Sequence, residues 1–200
     1  MVRIAVLTSG GGTNLEAILC AEEAGEIRSG RVELVIADRE GCHSLKRAEN
    51  HGRKAILLDR KKLGRAAFEE KLLEILESED IELVVLAGFL TILSEAFIRR
   101  YSDRIINIHP SLIPSFSGKG FYGLKVHEEA LRRGVKITGA TVHLVNEIPD
   151  GGKILFQKAV NVEDGDTPEI LQQRVMREAE WVIFPKAVEY MSAKIEGERA

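Results

Sequence analysis

"RIAVLTSGGGTNLEAILCAEEAG" (residues 3–25) decides the fold class. It opens on an apolar run, Ile4 to Leu7, passes three glycines, and continues with apolar residues at helical spacing as far as Gly25. A short run that is apolar throughout, rather than alternating, suits a parallel strand covered on both faces. The same rhythm recurs along the chain. "VELVIAD" (32–38) leads to "SLKRAENHG" (44–52), "KAILL" (54–58) to "RAAFEEKLLEILES" (65–78), and "IELVVLA" (81–87) to "SEAFIRRY" (94–101), before "RIINIH" (104–109). Repeated strand–helix units with short connections predict a doubly wound, mostly parallel α/β sheet. Further on, "ATVHLV" (140–145) and "KILFQKAV" (153–160), separated by "NEIPDGG", predict an antiparallel hairpin added to that sheet. Residues 167–195 read as a long terminal helix, capped by Thr167, with Pro168 in its first turn and a kink or break near Pro185.

At 200 residues the chain can bury a core without disulfides or metals, and a single domain over 1–200 is expected. A net charge of -3 argues against nonspecific binding to a nucleic-acid backbone, which calls for a basic face. Arg60-Lys61-Lys62 and Arg132-Arg133 read as solvated surface. Cys20 and Cys42 form no CxxC pair and have no histidines at zinc spacing, so reduced thiols and no metal are expected. The longest nearly apolar run, "LVVLAGFLTIL" (83–93), is too short to cross a bilayer, and the start lacks the pattern of a secretory signal. The expectation is a cytoplasmic enzyme.

Two loci then carry chemistry. "TSGGGTN" (8–14) lies between the first strand and the first helix, where glycines admit a close ligand and free helix N–H groups suit an anion. It departs from the dinucleotide pattern GxGxxG: Gly10 and Gly12 fill the first two places but Leu15 holds the third, despite Asp38 about 20 residues on. A monophosphate is the better reading. At the other locus, Asn107 and His109 are two apart in a strand and share a face at its carboxyl end, where open α/β sheets bind ligands. Asp150, in "PDGG", adds a carboxylate from a turn. "HPSL" lacks the G-x-S-x-G elbow, so no serine nucleophile is implied.

"LTSGGGTNLEAI", "INIHPSLIPSF", "GATVHLV" and "DGGKIL" together resemble the phosphoribosylglycinamide formyltransferase family, over Arg3 to about Val188. Methionyl-tRNA formyltransferases and formyltetrahydrofolate hydrolases share the polar triad; the amino-terminal loop selects this branch. The resemblance implies a Rossmann-like formyltransferase fold and formyl transfer from 10-formyltetrahydrofolate, a co-substrate, to 5-phosphoribosylglycinamide. It implies that Asn107 binds the formyl oxygen, His109 donates a proton, and Asp150 keeps His109 charged near neutral pH while relaying protons through water. Gly12, Thr13 and Asn14 would hold the phosphate, and a bulky residue at Gly12 would chiefly weaken that binding. Glu180 and Arg177 would contact the same substrate, in an alignment that needs one inserted residue between Arg174 and Pro185. Arg65, Leu90, Thr91, Ile92, Leu93, Asn146, Glu147, Ile148, Pro149 and Asp150 would line the folate site, with Thr91 contacting through backbone. His143 aligns with a family histidine near the site but reads rather as a satisfied core histidine, His127 as the start of a helix, and His43 and His51 as surface. The 115–124 loop reads as a mobile lid or an interface segment. No metal, nucleic acid or membrane is expected, and the assembly state is a monomer or a homodimer.

Overall fold

The computed structural model describes residues 1–199. Seven strands form one sheet in the order β3-β2-β1-β4-β5-β6-β7. The first five are β1 (Val2–Thr8), β2 (Gly30–Ala37), β3 (Lys54–Leu57), β4 (Leu83–Leu86) and β5 (Ile105–His109), all mutually parallel. The last two, β6 (Ile137–Leu144) and β7 (Ile154–Asn161), run antiparallel at one edge. The doubly wound sheet with an added hairpin is therefore as the sequence predicts, with strand limits shifted by a few residues. Chain order reverses between β1 and β4, so the carboxyl ends of β1, β4 and β5 open the crevice in which such sheets bind ligands.

Burial explains the apolar strands. In β1, six of seven residues are buried, and side chains alternate between two cores. One core sets Ile4, Val6 and Val85 against Leu15, Ile18, Phe184 and Val188; the other sets Ala5, Leu7 and Val84 against Phe68, Leu72 and Phe97. Truncating a fully buried phenylalanine such as Phe68 to alanine costs about 3–5 kcal/mol.

The helices are α1 (Thr13–Glu23), α2 (His43–Asn50), α3 (Arg60–Leu63), α4 (Arg65–Ser78), α5 (Glu95–Arg100), α6 (Leu124–Arg133), α7 (Pro168–Val175) and α8 (Trp181–Gly197). Thr167 caps α7 as expected, its hydroxyl accepting from Ile170 N–H. Of the kink or break expected near Pro185, the break is absent: α8 runs through that residue. The irregularity lies one turn earlier, where Met176–Glu180 form a π turn between α7 and α8. A π turn accommodates one extra residue without ending the helix. Glu180, the last residue of that turn, is buried.

Candidate active site

The site spans two ends of the crevice. At the β5 end, Asn107 and His109 share a face, and the β5–β6 register sets Asn107 opposite His143. His143 Nδ1 lies 2.8 Å from the Leu144 carbonyl, which can only accept, so that nitrogen carries the hydrogen. Nε2 is then a lone-pair acceptor, and the Asn107 amide donates to it at 3.1 Å. Asp150 Oδ1 lies 3.5 Å from the same Nε2. Of the two contacts at Nε2, the one with Asn107 is the shorter. Asn107 is thereby fixed with its second amide hydrogen free. His143 is buried and hydrogen-bonded at both nitrogens, as a satisfied core histidine would be, and it also borders the site.

Asp150 reaches back from the β6–β7 turn in the left-handed region at φ 57, which aspartate tolerates. Its Oδ2 accepts from Gly118 N–H at 2.8 Å and lies 3.5 Å from His109 Nδ1. Burial pushes the Asp150 carboxyl up, but His143, His109 and the Gly118 amide together hold it below the ordinary aspartate range. For His109 the balance goes the other way. Burial lowers it, and the opposing pull of Asp150 and of the Phe116 carbonyl does not restore the ordinary value. Against the expectation of a charged His109 near neutral pH stands its burial: desolvation exceeds the carboxylate's attraction and holds the ring below the ordinary imidazole value. Its Nε2 hydrogen goes to the Phe116 carbonyl at 2.8 Å, leaving Nδ1 as the basic nitrogen beside Asp150.

A cavity of about 120 Å³ adjoins this cluster. Phe89, Ile92, Leu93, Ile98 and Val145 supply apolar wall, while Asn107, His143 and Asp150 supply the polar edge. Thr91 also lines it, but its hydroxyl turns inward and donates to Asp38 Oδ2 at 2.6 Å. That buried carboxylate also holds Arg39 at 2.8 Å.

The second end is the glycine turn. Gly12 precedes α1 at φ 75, and a Cβ there would come 2.8 Å from the Ser44 Cα. The expectation that substitution at Gly12 acts chiefly on binding is corrected, because it would first push α2 away. Asn14 donates through Nδ2 to Glu180 Oε2 at 2.5 Å, and burial pushes the Glu180 carboxyl up. Ser9 joins the two ends: its N–H donates to the Gly88 carbonyl at 3.2 Å and its Oγ accepts from Leu90 N–H at 2.9 Å.

A formyl transferase family model matches residues 2–188. Phosphoribosylglycinamide formyltransferase of Bacillus subtilis (strain 168) is 34% identical over 193 residues, covering 96% of this chain and 95% of that protein. The chain belongs to the phosphoribosylglycinamide formyltransferase family. Glycinamide ribonucleotide transformylase 1 from Symbiobacterium toebii superposes with a TM-score of 0.90 at 41% identity, covering 97% of this chain and 89% of that one. The trifunctional purine biosynthetic protein adenosine-3 of Gallus gallus is also 41% identical, but the chain spans only 18% of its length.

Not every residue expected from the family resemblance converges. Gly12, Thr13, Asn14 and Glu180 meet at the glycine turn. Arg177 does not join them: it is exposed, and its Nε donates to the Gln173 carbonyl of its own helix at 3.3 Å. Thr91, Ile92, Leu93, Asn146, Glu147, Ile148 and Pro149 line the cavity with Asn107 and Asp150, whereas Leu90 and Arg65 do not. The Leu90 side chain is exposed. Arg65 lies 3.6 Å from Glu69, which accepts from Ser94 N–H, so it stands just behind the 89–93 loop. Phe89, Ile98 and Val145 are additions that no motif signalled.

Among the described residues one group of side chains could hold a metal ion: Glu16, Cys20 and His51 offer ligand atoms within 4.8 Å of one another. Sequence spacing hid it, because His51 arrives from another helix. Arg47 Nη1 sits 2.9 Å from Glu16 Oε2, a cation already in place there. A larger depression, about 860 Å³, opens at the amino ends of β1, β4 and β5, near Arg3, Glu82 and Arg104. Its arginines are ion-paired, Arg100 with Glu77 and Arg104 with Glu198 among them.

Proposed function

We propose that the chain, acting as one catalytic unit over 1–200, transfers the formyl group of 10-formyltetrahydrofolate to the amine of 5-phosphoribosylglycinamide, a step of purine (IMP) biosynthesis. The observation that carries this reading is the pairing of an amide, an imidazole and a carboxylate at the β5 end with a glycine turn at the other end of the same crevice. The cavity's apolar walls suit a planar heteroaromatic ring, and the turn suits a phosphate.

The amine attacks the formyl carbon, and negative charge gathers on the formyl oxygen. The free Asn107 amide hydrogen is a fixed donor for that oxygen, worth about 3 kcal/mol of barrier. A new carbon–nitrogen bond leaves the amine with a proton to lose, and breaking the bond to the folate nitrogen requires that nitrogen to gain one. His109 Nδ1 is placed to take up a proton, with Asp150 stabilising the resulting imidazolium. The relay ends with the proton on the folate nitrogen, passing through water beside Asp150. No covalent enzyme intermediate and no metal enter this reaction. The partners are two small molecules, and the setting is the cytoplasm, with the chain as a monomer or homodimer. Among the described residues no helix is long and apolar enough to cross a membrane.

Formyl transfer from 10-formyltetrahydrofolate, measured with the ribonucleotide, water and tRNA as competing acceptors, tests the reading. Formylated ribonucleotide is expected. Release of formate alone, or formylation of the tRNA, would replace it with a hydrolase or a tRNA-directed activity.

A further inference from the structure

Helix α2 holds the glycine turn from behind. The Gly10 carbonyl accepts from Ser44 N–H at 3.2 Å, and the Gly11 carbonyl accepts from Arg47 Nε at 2.9 Å. A trans peptide is planar, with its C=O and N–H pointing in opposite directions. The only cis peptide among the described residues is Ile113–Pro114. Tying both carbonyls to α2 therefore aims the N–H groups of Gly11 and Gly12 away from it, toward the crevice. Neither N–H has a backbone acceptor among the described residues. Successive N–H groups on one side of a turn that enters the left-handed region form an anion-binding concavity.

We infer that Arg47 is a positioning residue for the ribonucleotide phosphate: its guanidinium fixes the Gly11 carbonyl and so presets the Gly11 and Gly12 donors. This rests on the reading of the turn as a phosphate site. Glu16 completes the brace. It lies in the first turn of α1 and holds Arg47 Nη1 at 2.9 Å, while its other oxygen meets His51 Nε2 at 3.3 Å. Arg47 in turn neutralises a carboxylate that would otherwise oppose an anion at that helix end. Of the turn's two carbonyl ties, Ser44 donates through its backbone and Arg47 through its side chain, so only the Arg47 tie can be removed by mutation without rebuilding the helix.

Arg47→Met keeps the stem that packs beside Gly12 and deletes the donor. It is expected to raise KM for 5-phosphoribosylglycinamide roughly tenfold, the loss of one charge-assisted hydrogen bond. At saturating ribonucleotide, kcat and the folate KM should stay within about twofold of wild type. Arg47→Lys should recover part of the loss. A second readout does not depend on turnover: amide NMR of Gly11 and Gly12 under titration with inorganic phosphate and with the ribonucleotide. Both amides should move downfield in wild type, and much less in Arg47→Met. Equal movement and an unchanged ribonucleotide KM in Arg47→Met would overturn the brace alone. Silent amides in wild type would remove the phosphate site itself, and the brace with it. A uniform rise in both KM values with a lowered melting temperature would reduce Arg47 to a structural residue.

Discussion

At the glycine turn, residues 10–14, the proposed binding groups are backbone N–H donors, and the side chains around them serve to hold the backbone still. At the β5 end the binding groups are side chains from three segments, and the backbone serves to aim them. The difference follows from what each end must do. An anion of fixed charge needs donors at fixed positions, which a preset turn supplies with no titratable group. A proton relay needs groups that change charge, and these must be desolvated enough to respond to one another. The first end is therefore sensitive to added bulk, and the second to removed charge.

The largest effect should come at the second end. Asp150→Asn is expected to lower turnover by about 10²–10⁴-fold, because the imidazolium loses its counter-charge. Stopped-flow or steady-state formyl transfer would read it. The same variant tests the His109 assignment by pH. With His109 lowered by burial, the acid limb of kcat/KM should fall below about pH 6.5, the ordinary imidazole value. Asp150 pulls His109 upward, so its loss should move that limb lower still. A limb that stays in place would separate the two residues.

Bulk sharpens the contrast at the first end. Gly12→Val should destabilise the fold by about 2–4 kcal/mol, through left-handed strain and the contact with Ser44. Gly11→Ala, where an added Cβ meets nothing within 4 Å, should leave stability within about 1 kcal/mol. Denaturant midpoints compare them directly, and equal losses would erase the distinction.

His127 asks whether burial near the relay is felt by the whole fold. Its ring is buried with both nitrogens unpartnered, and burial, then the neighbouring His109, push it down to about 4. A base lowered in the folded state resists the proton that the unfolded chain accepts. Its contribution is complete above the unfolded value of about 6.5 and is lost as pH falls toward 4, about 3 kcal/mol in all. His127→Leu should flatten that part of the stability profile, and an unchanged slope would mean that the ring is protonated in the fold. The smallest effect is expected at Thr91→Val, which removes the hydroxyl that donates to Asp38 behind the 89–93 loop. Folate KM should rise by roughly three- to tenfold with ribonucleotide KM unchanged.

Much of this was legible in the sequence, for local reasons. Apolar runs between helical stretches required a parallel sheet covered on both faces, and the period of two put Asn107 and His109 on one face. The glycines marked the strand–helix turn, though among them only Gly12 lacks room for a Cβ. What periodicity cannot express is register between distant strands, and with it which polar groups meet. His143 joined the site because β6 pairs with β5 so that it faces Asn107, which nothing in "TVHLV" states. The lowering of His109 follows from how deeply the closed fold removes it from water, a quantity that belongs to no residue alone. Nothing in "SLKRAENHG" signalled that Arg47 meets the glycine turn, which follows from how α2 packs against it. The kinds of chemistry were set by residue type and spacing; their protonation and partners were set only when tertiary packing fixed distances and excluded water.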